Sequence, residues 1–335
     1  MKVHGRKSYI ERQIQKGFNS WVRAKAKHAQ ICDGTERVDE CLLIHGPISE
    51  WMYIWAIKAC RYYFPTAFIL VSTWNDTDEN WIKEVSPFVN HIILNDYPFY
   101  QGEAHRNYQI KAISAGLEWL RKNRTMENSI VVKLRSDCVL TNRGLFERIK
   151  KEIDQYPINH IYKNDSRLFI TLPRLYNPYK ACDFVMGGRR DDLENFWNIK
   201  YSSSCDEVVL SKSVEKNIFN KCTPEEYFYI TYAEKIGWKI EASIYNGWEF
   251  WKNFFVVLDI RDWGIVWLKN PSWNIMGSWY GKWKRYPDIF YISKRMWKRM
   301  QSGIPYLGKM ELKDVRLNRR IPLKWAIKLF FGKYK

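Results

Sequence analysis

Residues 129–140 read SIVVKLRSDCVL, and this stretch decides the fold. The apolar run from Ser129 to Leu134 is short, rich in Val and Ile, and bounded by polar residues, which is the pattern of an interior strand of a parallel sheet. It delivers Arg135, Ser136 and Asp137 where the strand surfaces. In open α/β sheets, ligands bind beyond the carboxyl ends of the strands. Asp also favours turns for local hydrogen-bonding reasons, so Asp137 taken alone is divided evenly between ligand contact and turn cap.

Three earlier apolar runs end in the same way. Cys41–Ile44 (CLLI) runs into His45 and Gly46, Ala67–Val71 (AFILV) into Ser72, Thr73, Trp74, Asn75 and Asp76, and His91–Leu94 (HIIL) into Asn95 and Asp96. Helical patterns at residues 50–63 and 104–122, the second with Ile110, Ile113, Leu117 and Leu120 on one face, separate the strands. Strands alternating with helices predict a largely parallel sheet. Four polar strand ends converging at one edge describe a pocket. Past residue 150 the alternation loosens. Strands are expected at 169–172, 183–186, 239–245 and 254–260, a turn at Gly187-Gly188, a short helix at 191–197, and another opening at Thr223-Pro224-Glu225-Glu226.

The 335 residues are long for one simple domain and carry a net charge of +18. Residues 1–30 hold 8 Lys/Arg against 1 acid and residues 263–335 hold 17 against 3, so a slightly acidic centre lies between two cationic ends. We divide the chain into a basic N-terminal extension (1–35), a catalytic domain (36–262) and a basic, Trp-rich C-terminal extension (263–335). Such ends attract polyanions, and residues 321–335 (IPLKWAIKLFFGKYK) suit a headgroup layer. Seven widely spaced Cys without a CxxC argue for reduced thiols. With no signal-like segment and no run of about 18 apolar residues, the expectation is a cytoplasmic protein, peripheral at the inner face of the plasma membrane.

No GxGxxG follows the first strand, and GxxxxGK[ST], HExxH and GxSxG are absent. This makes dinucleotide oxidoreductases, P-loop NTPases, zincins and serine hydrolases poor readings. A parallel sheet with acidic and amide residues at its ligand edge suits a nucleoside-diphosphate sugar, with base and ribose on early strand ends and a carboxylate placing a divalent cation on the diphosphate.

CLLIHGPI at 41–48, Phe64-Pro65 followed by AFILVSTW, ILND at 93–96, NYQIKAISAGLE at 107–118 and KLRSD at 133–137 resemble the WavE-type lipopolysaccharide-synthesis proteins, themselves similar to GT-A glycosyltransferases. The likeness continues more weakly through DFVMGG at 183–188 and PEEY at 224–227 and covers roughly residues 40–250. It implies a GT-A-like, Rossmann-related α/β fold, a nucleotide-sugar donor, and a cell-surface glycan or lipid-linked acceptor. It places Arg135, Ser136 and Asp137 where GT-A enzymes carry DxD, but with Arg at the first position. One carboxylate holds Mn²⁺ or Mg²⁺ less tightly than two. The expectation is therefore a cation on Asp137, with direct neutralisation by Arg135 and Lys133 as the alternative.

His45, Gly46, Asn75, Asp76, Asn95 and Asp96 are the candidate nucleotide contacts. Arg106, Asn107 and Gln109 stand near a helix N-terminus, where free amides favour phosphate. An inverting reaction needs a base on the acceptor hydroxyl, and Asp183 and Glu225 are the candidates. For Asp183 a hydrogen bond to the Gly187-Gly188 turn is an equal alternative. Thr223-Pro224-Glu225-Glu226 spells a capping box that makes Glu226 structural, and Asp191 and Asp192 are expected to cap their helix. Two other functions are open: a polyanion- or nucleic-acid-binding protein using the basic ends, for which no nucleic-acid-binding signature is visible, and an inactive GT-A scaffold, which the incomplete DxD permits.

Overall fold

The computed structural model describes residues 9–29, 37–123, 129–158, 165–174, 179–203, 223–241, 244–269 and 291–302. In chain order its elements are α1 (Tyr9–Ala26), β1 (Arg37–His45), α2 (Trp51–Tyr63), β2 (Ala67–Trp74), α3 (Glu79–Val85), β3 (His91–Asn95), α4 (Arg106–Asn123), β4 (Ile130–Arg135), β5 (Cys138–Leu140) and α5 (Leu145–Gln155). There follow β6 (Leu168–Ile170), β7 (Val185–Arg189), α6 (Arg190–Trp197), α7 (Pro224–Lys235), α8 (Ile244–Phe254), β8 (Phe255–Val257), α9 (Ile260–Trp263), β9 (Ile265–Trp267) and α10 (Lys294–Gln301).

Seven strands form one sheet in the order β3-β2-β1-β4-β7-β6-β8, and β7 alone among them runs antiparallel. This is the mostly parallel, helix-flanked α/β sheet expected from the alternating pattern. All eight residues of β2 are buried, as a strand covered on both faces requires. Helix α4 lies close on β1 because Gly116 faces Leu43, where a Cβ would come within 2.4 Å of Leu43 Cδ1. The fully buried Arg61 ties the end of α2 to the start of β2, donating to the carbonyls of Phe64, Pro65, Ala67 and Phe88 and to Asn90 Oδ1.

Four details differ from expectation. Gly187 and Gly188 lie inside β7, not in a turn, and a Cβ on Gly188 would meet Leu168 Cδ2 at 2.8 Å, so neighbouring β6 needs the missing side chain. Residues 239–241 form no strand and α8 begins at Ile244; Asn246 holds the preceding segment through Lys239 O and Glu241 N. Asp192 does not cap α6; its carboxylate accepts from the backbone N–H groups of Asp165 and Ser166, fixing the entry to β6, while Asp191 pairs with Arg190.

The fourth is the boundary at 263, which does not end the packed body. Strand β9 pairs antiparallel with β5, Trp263 is fully buried, and α10 puts Met296, Trp297 and Met300 into the core with Trp297 edge-on to Tyr156. The apolar face of KRMWKRM is therefore used internally. Residues 321–335 lie outside the described residues, as do Cys32, Cys205 and Cys222; Cys41, Cys60, Cys138 and Cys182 are free thiols. No helix among the described residues is long and apolar enough to cross a membrane.

Candidate functional site

Strands β1 to β4 are parallel and in register, so His45 lies beside Ser72 and Arg135, and Trp74 beside Asn95, at one edge of the sheet. A cavity of about 390 Å³ opens at this edge. A wider depression of about 550 Å³ lies elsewhere, between α5, α9 and α10, but Arg148 there already pairs with Asp262 and Lys294 with Glu152. The strand-edge cavity is the one that combines an aromatic wall with charged groups.

The aromatic wall consists of Trp74, Tyr97, His105 and Tyr108. Trp74 and Tyr97 stack with ring centroids 4.4 Å apart and planes 18° off parallel, Tyr108 lies 5.0 Å from Tyr97, and His105 stacks on Tyr108 at 5.4 Å. Ala104 (φ 48°) and His105 (φ 64°), both lining the cavity, adopt left-handed backbone conformations without being glycine. Such residues cost roughly 1–3 kcal/mol each and gather at ligand sites.

The polar wall comes from β1, β4 and the segment after β9. Asp137 is buried at 2% exposure yet reaches the cavity. Its Oδ1 accepts from Arg135 Nε at 3.1 Å and its Oδ2 from Arg135 Nη2 at 2.8 Å and Trp267 Nε1 at 2.9 Å, with Lys269 Nζ at 3.9 Å. Burial works to raise its pKa, but the Arg135 guanidinium, then Trp267 and Lys269, hold the carboxyl below the usual range. Arg135 lies over Phe184 at 4.7 Å and reaches Asp183 Oδ1 at 3.6 Å. Burial, reinforced by Lys133 and Arg135, pushes the His45 pKa well down, so this imidazole is neutral and its Nε2 has no hydrogen-bond partner. Gly46 has φ 118°, and a Cβ there would meet Ser136 Oγ at 2.9 Å.

Of the residues selected from sequence, His45, Gly46, Gln109, Arg135, Ser136 and Asp137 line this cavity. The others stand behind or beside it. Asn75 bonds Asp96, and Asp76 accepts from Tyr97 Oη at 3.0 Å, bracing the aromatic wall. Asn95 is buried and donates to Ser72 Oγ and Thr73 O. Asn107 joins Tyr100 to Ser202, and Arg106 is buried against Glu103 and the Tyr227 ring. Thus Asn95 locks β3 to β2, Asn107 and Arg106 hold neighbouring segments, and none of the three lines the cavity.

Asp183 sits one side chain back from the cavity. It accepts from Gln109 Nε2 at 2.9 Å, and it does not bond the Gly187-Gly188 backbone, which is in the sheet. Burial and then the Asp183 charge raise the Glu225 pKa. Glu226 closes the expected capping box with Thr223. Lys133, fully buried, donates to Asp183 O and covers the Trp197 ring; it does not reach the cavity.

Sequence reasoning selects the acids and amides at the strand ends and misses Trp74, Tyr97, His105 and Tyr108, whose only signal is aromatic residues next to those ends. Trp267 and Lys269 carry no local signal, because they reach Asp137 only through the β5–β9 pairing and the Leu268 N–H bond to Asp137 O.

A divalent cation does not fit this donor set. Both Asp137 oxygens receive donors, a guanidinium and an ammonium stand beside them, and among the described residues no group of three or more His, Cys, Asp or Glu side chains is arranged to hold a metal.

A family profile described as WavE lipopolysaccharide synthesis matches residues 42–230. No curated protein matches the chain in sequence. Among solved structures, the chain is similar to one titled PaToxG Glycosyltransferase, with 13% identity, a TM-score of 0.31, and coverage of 68% of this chain and 79% of that one.

Proposed function

The chain belongs to the WavE lipopolysaccharide synthesis family, and from that premise we propose that it is a glycosyltransferase that moves a sugar from a nucleoside-diphosphate donor to a glycan or lipid-linked acceptor. The observation that carries this reading is one cavity combining a wall of four packed rings, two stacked pairs tilted against each other, with Arg135 and Lys269. A nucleobase lies flat against aromatic faces, while a diphosphate needs cations a few ångströms away. The neutral His45 adds no charge to that diphosphate.

In this reading the acceptor oxygen forms a bond to the anomeric carbon as the bond from that carbon to the phosphate oxygen breaks, and the electron pair departs on the nucleoside diphosphate. The candidate proton acceptors, Asp183 and Glu225, stand behind the Gln109–Arg135 wall of the cavity, so the acceptor proton would reach them through one water. A carboxyl whose pKa is raised, as burial and Asp183 raise that of Glu225, accepts a proton more readily in the transition state. Peripheral attachment to an anionic membrane through the basic C-terminal segment completes the proposal, since a lipid-linked acceptor would be met there.

The test is a thermal-shift panel of nucleoside diphosphates and nucleotide sugars, followed by turnover on the donor that stabilises most. Stabilisation with turnover supports the enzyme. Stabilisation without donor hydrolysis or transfer leaves a scaffold, and salt-sensitive DNA binding with no nucleotide effect replaces the reading by a polyanion binder.

A further inference from the structure

We infer that the negative charge arising on the departing diphosphate is met by two of the protein's own cations, Arg135 and Lys269, and that Asp137 aims Arg135 instead of holding a metal ion. This rests on the donor-pocket reading above. Three features carry it.

Asp137 is already saturated. Its two oxygens accept from Arg135 Nε, Arg135 Nη2, Trp267 Nε1 and, at 3.6 Å, the Cys138 thiol, the Arg135 pair having the fork-on-fork geometry that fixes a guanidinium plane. An incoming divalent ion would have to break that pair and then sit against two positive charges.

Arg135 is held but not used up. Its side chain is 25% exposed and is clamped by Asp137, by Asp183 at 3.6 Å and by the faces of Phe184 and Trp267 at 4.7 and 5.9 Å. A guanidinium carries five N–H donors, and Asp137 takes two. Arg135 lines the cavity, so donors not taken by Asp137 are available to an anion there from a side chain already fixed in place, the preorganisation that favours a transition-state charge.

Lys269 converges on the same point from a distant part of the chain. The β5–β9 ladder brings it to 3.9 Å from Asp137 Oδ2, over the Tyr53 ring at 5.2 Å, with its side chain 45% exposed at the cavity wall. The ionised groups lining the cavity are then Arg135, Lys269 and Asp137; Asp137 and Asp183 share Arg135, so half-exposed Lys269 is the cation least offset by the protein's own carboxylates. In the transfer step, the electron pair released from the anomeric carbon–oxygen bond moves onto the phosphate oxygen facing these two cations.

Calorimetric titration of the full chain with UDP, GDP, CDP and ADP, each in EDTA and in Mn²⁺, tests this. A nucleotide that binds in EDTA within about threefold of its affinity in Mn²⁺, and about tenfold more weakly to Lys269→Gln, is the expected result. Asp137→Asn should bind that nucleotide at least as tightly, since a negative charge leaves the cavity, while donor turnover falls about a hundredfold because Arg135 loses its brace. Binding that needs Mn²⁺, or that a folded Asp137→Asn chain loses, overturns the inference and leaves the donor pocket standing. Binding of no nucleotide under either condition overturns both. Lys269→Gln changes a half-exposed side chain, so this arm stands even if Asp137→Asn fails to fold.

Discussion

Replacing Tyr97 by alanine removes the outer ring of the aromatic wall, the one 4.4 Å from Trp74 and 5.0 Å from Tyr108. If a nucleobase lies against this wall, the loss is that of one base–aromatic contact, about 1–3 kcal/mol, which is roughly 5- to 150-fold in affinity. Tyr97 is 42% exposed, so the fold should lose only about 1 kcal/mol, a fraction of what full burial of an aromatic side chain contributes. Tyr97→Phe separates the ring from the hydroxyl. Partial burial and then the bond to Asp76 push the Tyr97 pKa up to about 12, so the hydroxyl donates to Asp76 at any working pH, but it braces the ring without touching the base. The phenylalanine variant should bind within about threefold of wild type. The assay is a nucleoside-diphosphate titration alongside thermal unfolding of both variants. Alanine binding like wild type, or phenylalanine losing as much as alanine, refutes the aromatic-wall argument.

Burial lowers the Lys133 pKa from 10.5 to about 8, with Asp183 opposing the fall. Below pH 8 the ammonium is charged in both folded and unfolded chains and its desolvation penalty is fully present. Between pH 8 and 10.5 the unfolded chain binds the extra proton, so this residue's contribution to stability rises with pH. In urea unfolding, the stability of wild type minus that of Lys133→Met should therefore grow by about 2–3 kcal/mol from pH 7 to 10, and a flat difference would show that Lys133 keeps an ordinary pKa. Gly46→Ala places a Cβ 2.9 Å from Ser136 Oγ on a backbone with φ 118° and should destabilise the chain by about 1–3 kcal/mol in the same assay; an unchanged midpoint would mean that the β1–β4 edge is not tight. Removal of residues 321–335 should weaken partitioning onto anionic vesicles, measured by co-sedimentation, and unchanged partitioning would reject the membrane role of that segment.

The sheet was legible because β1, β2 and β4 each contain a short apolar run (Cys41–Ile44, Ala67–Val71 and Ile130–Val132) whose spacing leaves few alternatives, and because helix α4 keeps its apolar face in strict period. The pocket edge was legible for the same reason, since parallel strands must surface together. What each polar residue does there was not. Asn95 and Asp96 are equally polar strand-end neighbours, yet one is buried as a lock between Ser72 and Thr73 and the other bonds Asn75, a distinction made by packing that sequence does not carry. Gly187-Gly188 reads as a turn from local chemistry, whereas β6 imposes the need for glycine from across the sheet. Lys269 and Trp267 were out of reach because only a three-residue antiparallel ladder far along the chain brings them to Asp137. The capping box at Thr223–Glu226 was read correctly because it is complete within four residues.

The most direct measurement is a crystal structure of the chain with the nucleoside diphosphate that stabilises it most. The account predicts the base against Trp74, Tyr97 and Tyr108, and the diphosphate within hydrogen-bonding distance of Arg135 and Lys269 with the Arg135–Asp137 pair intact. A nucleotide bound away from the β1–β4 edge would contradict it.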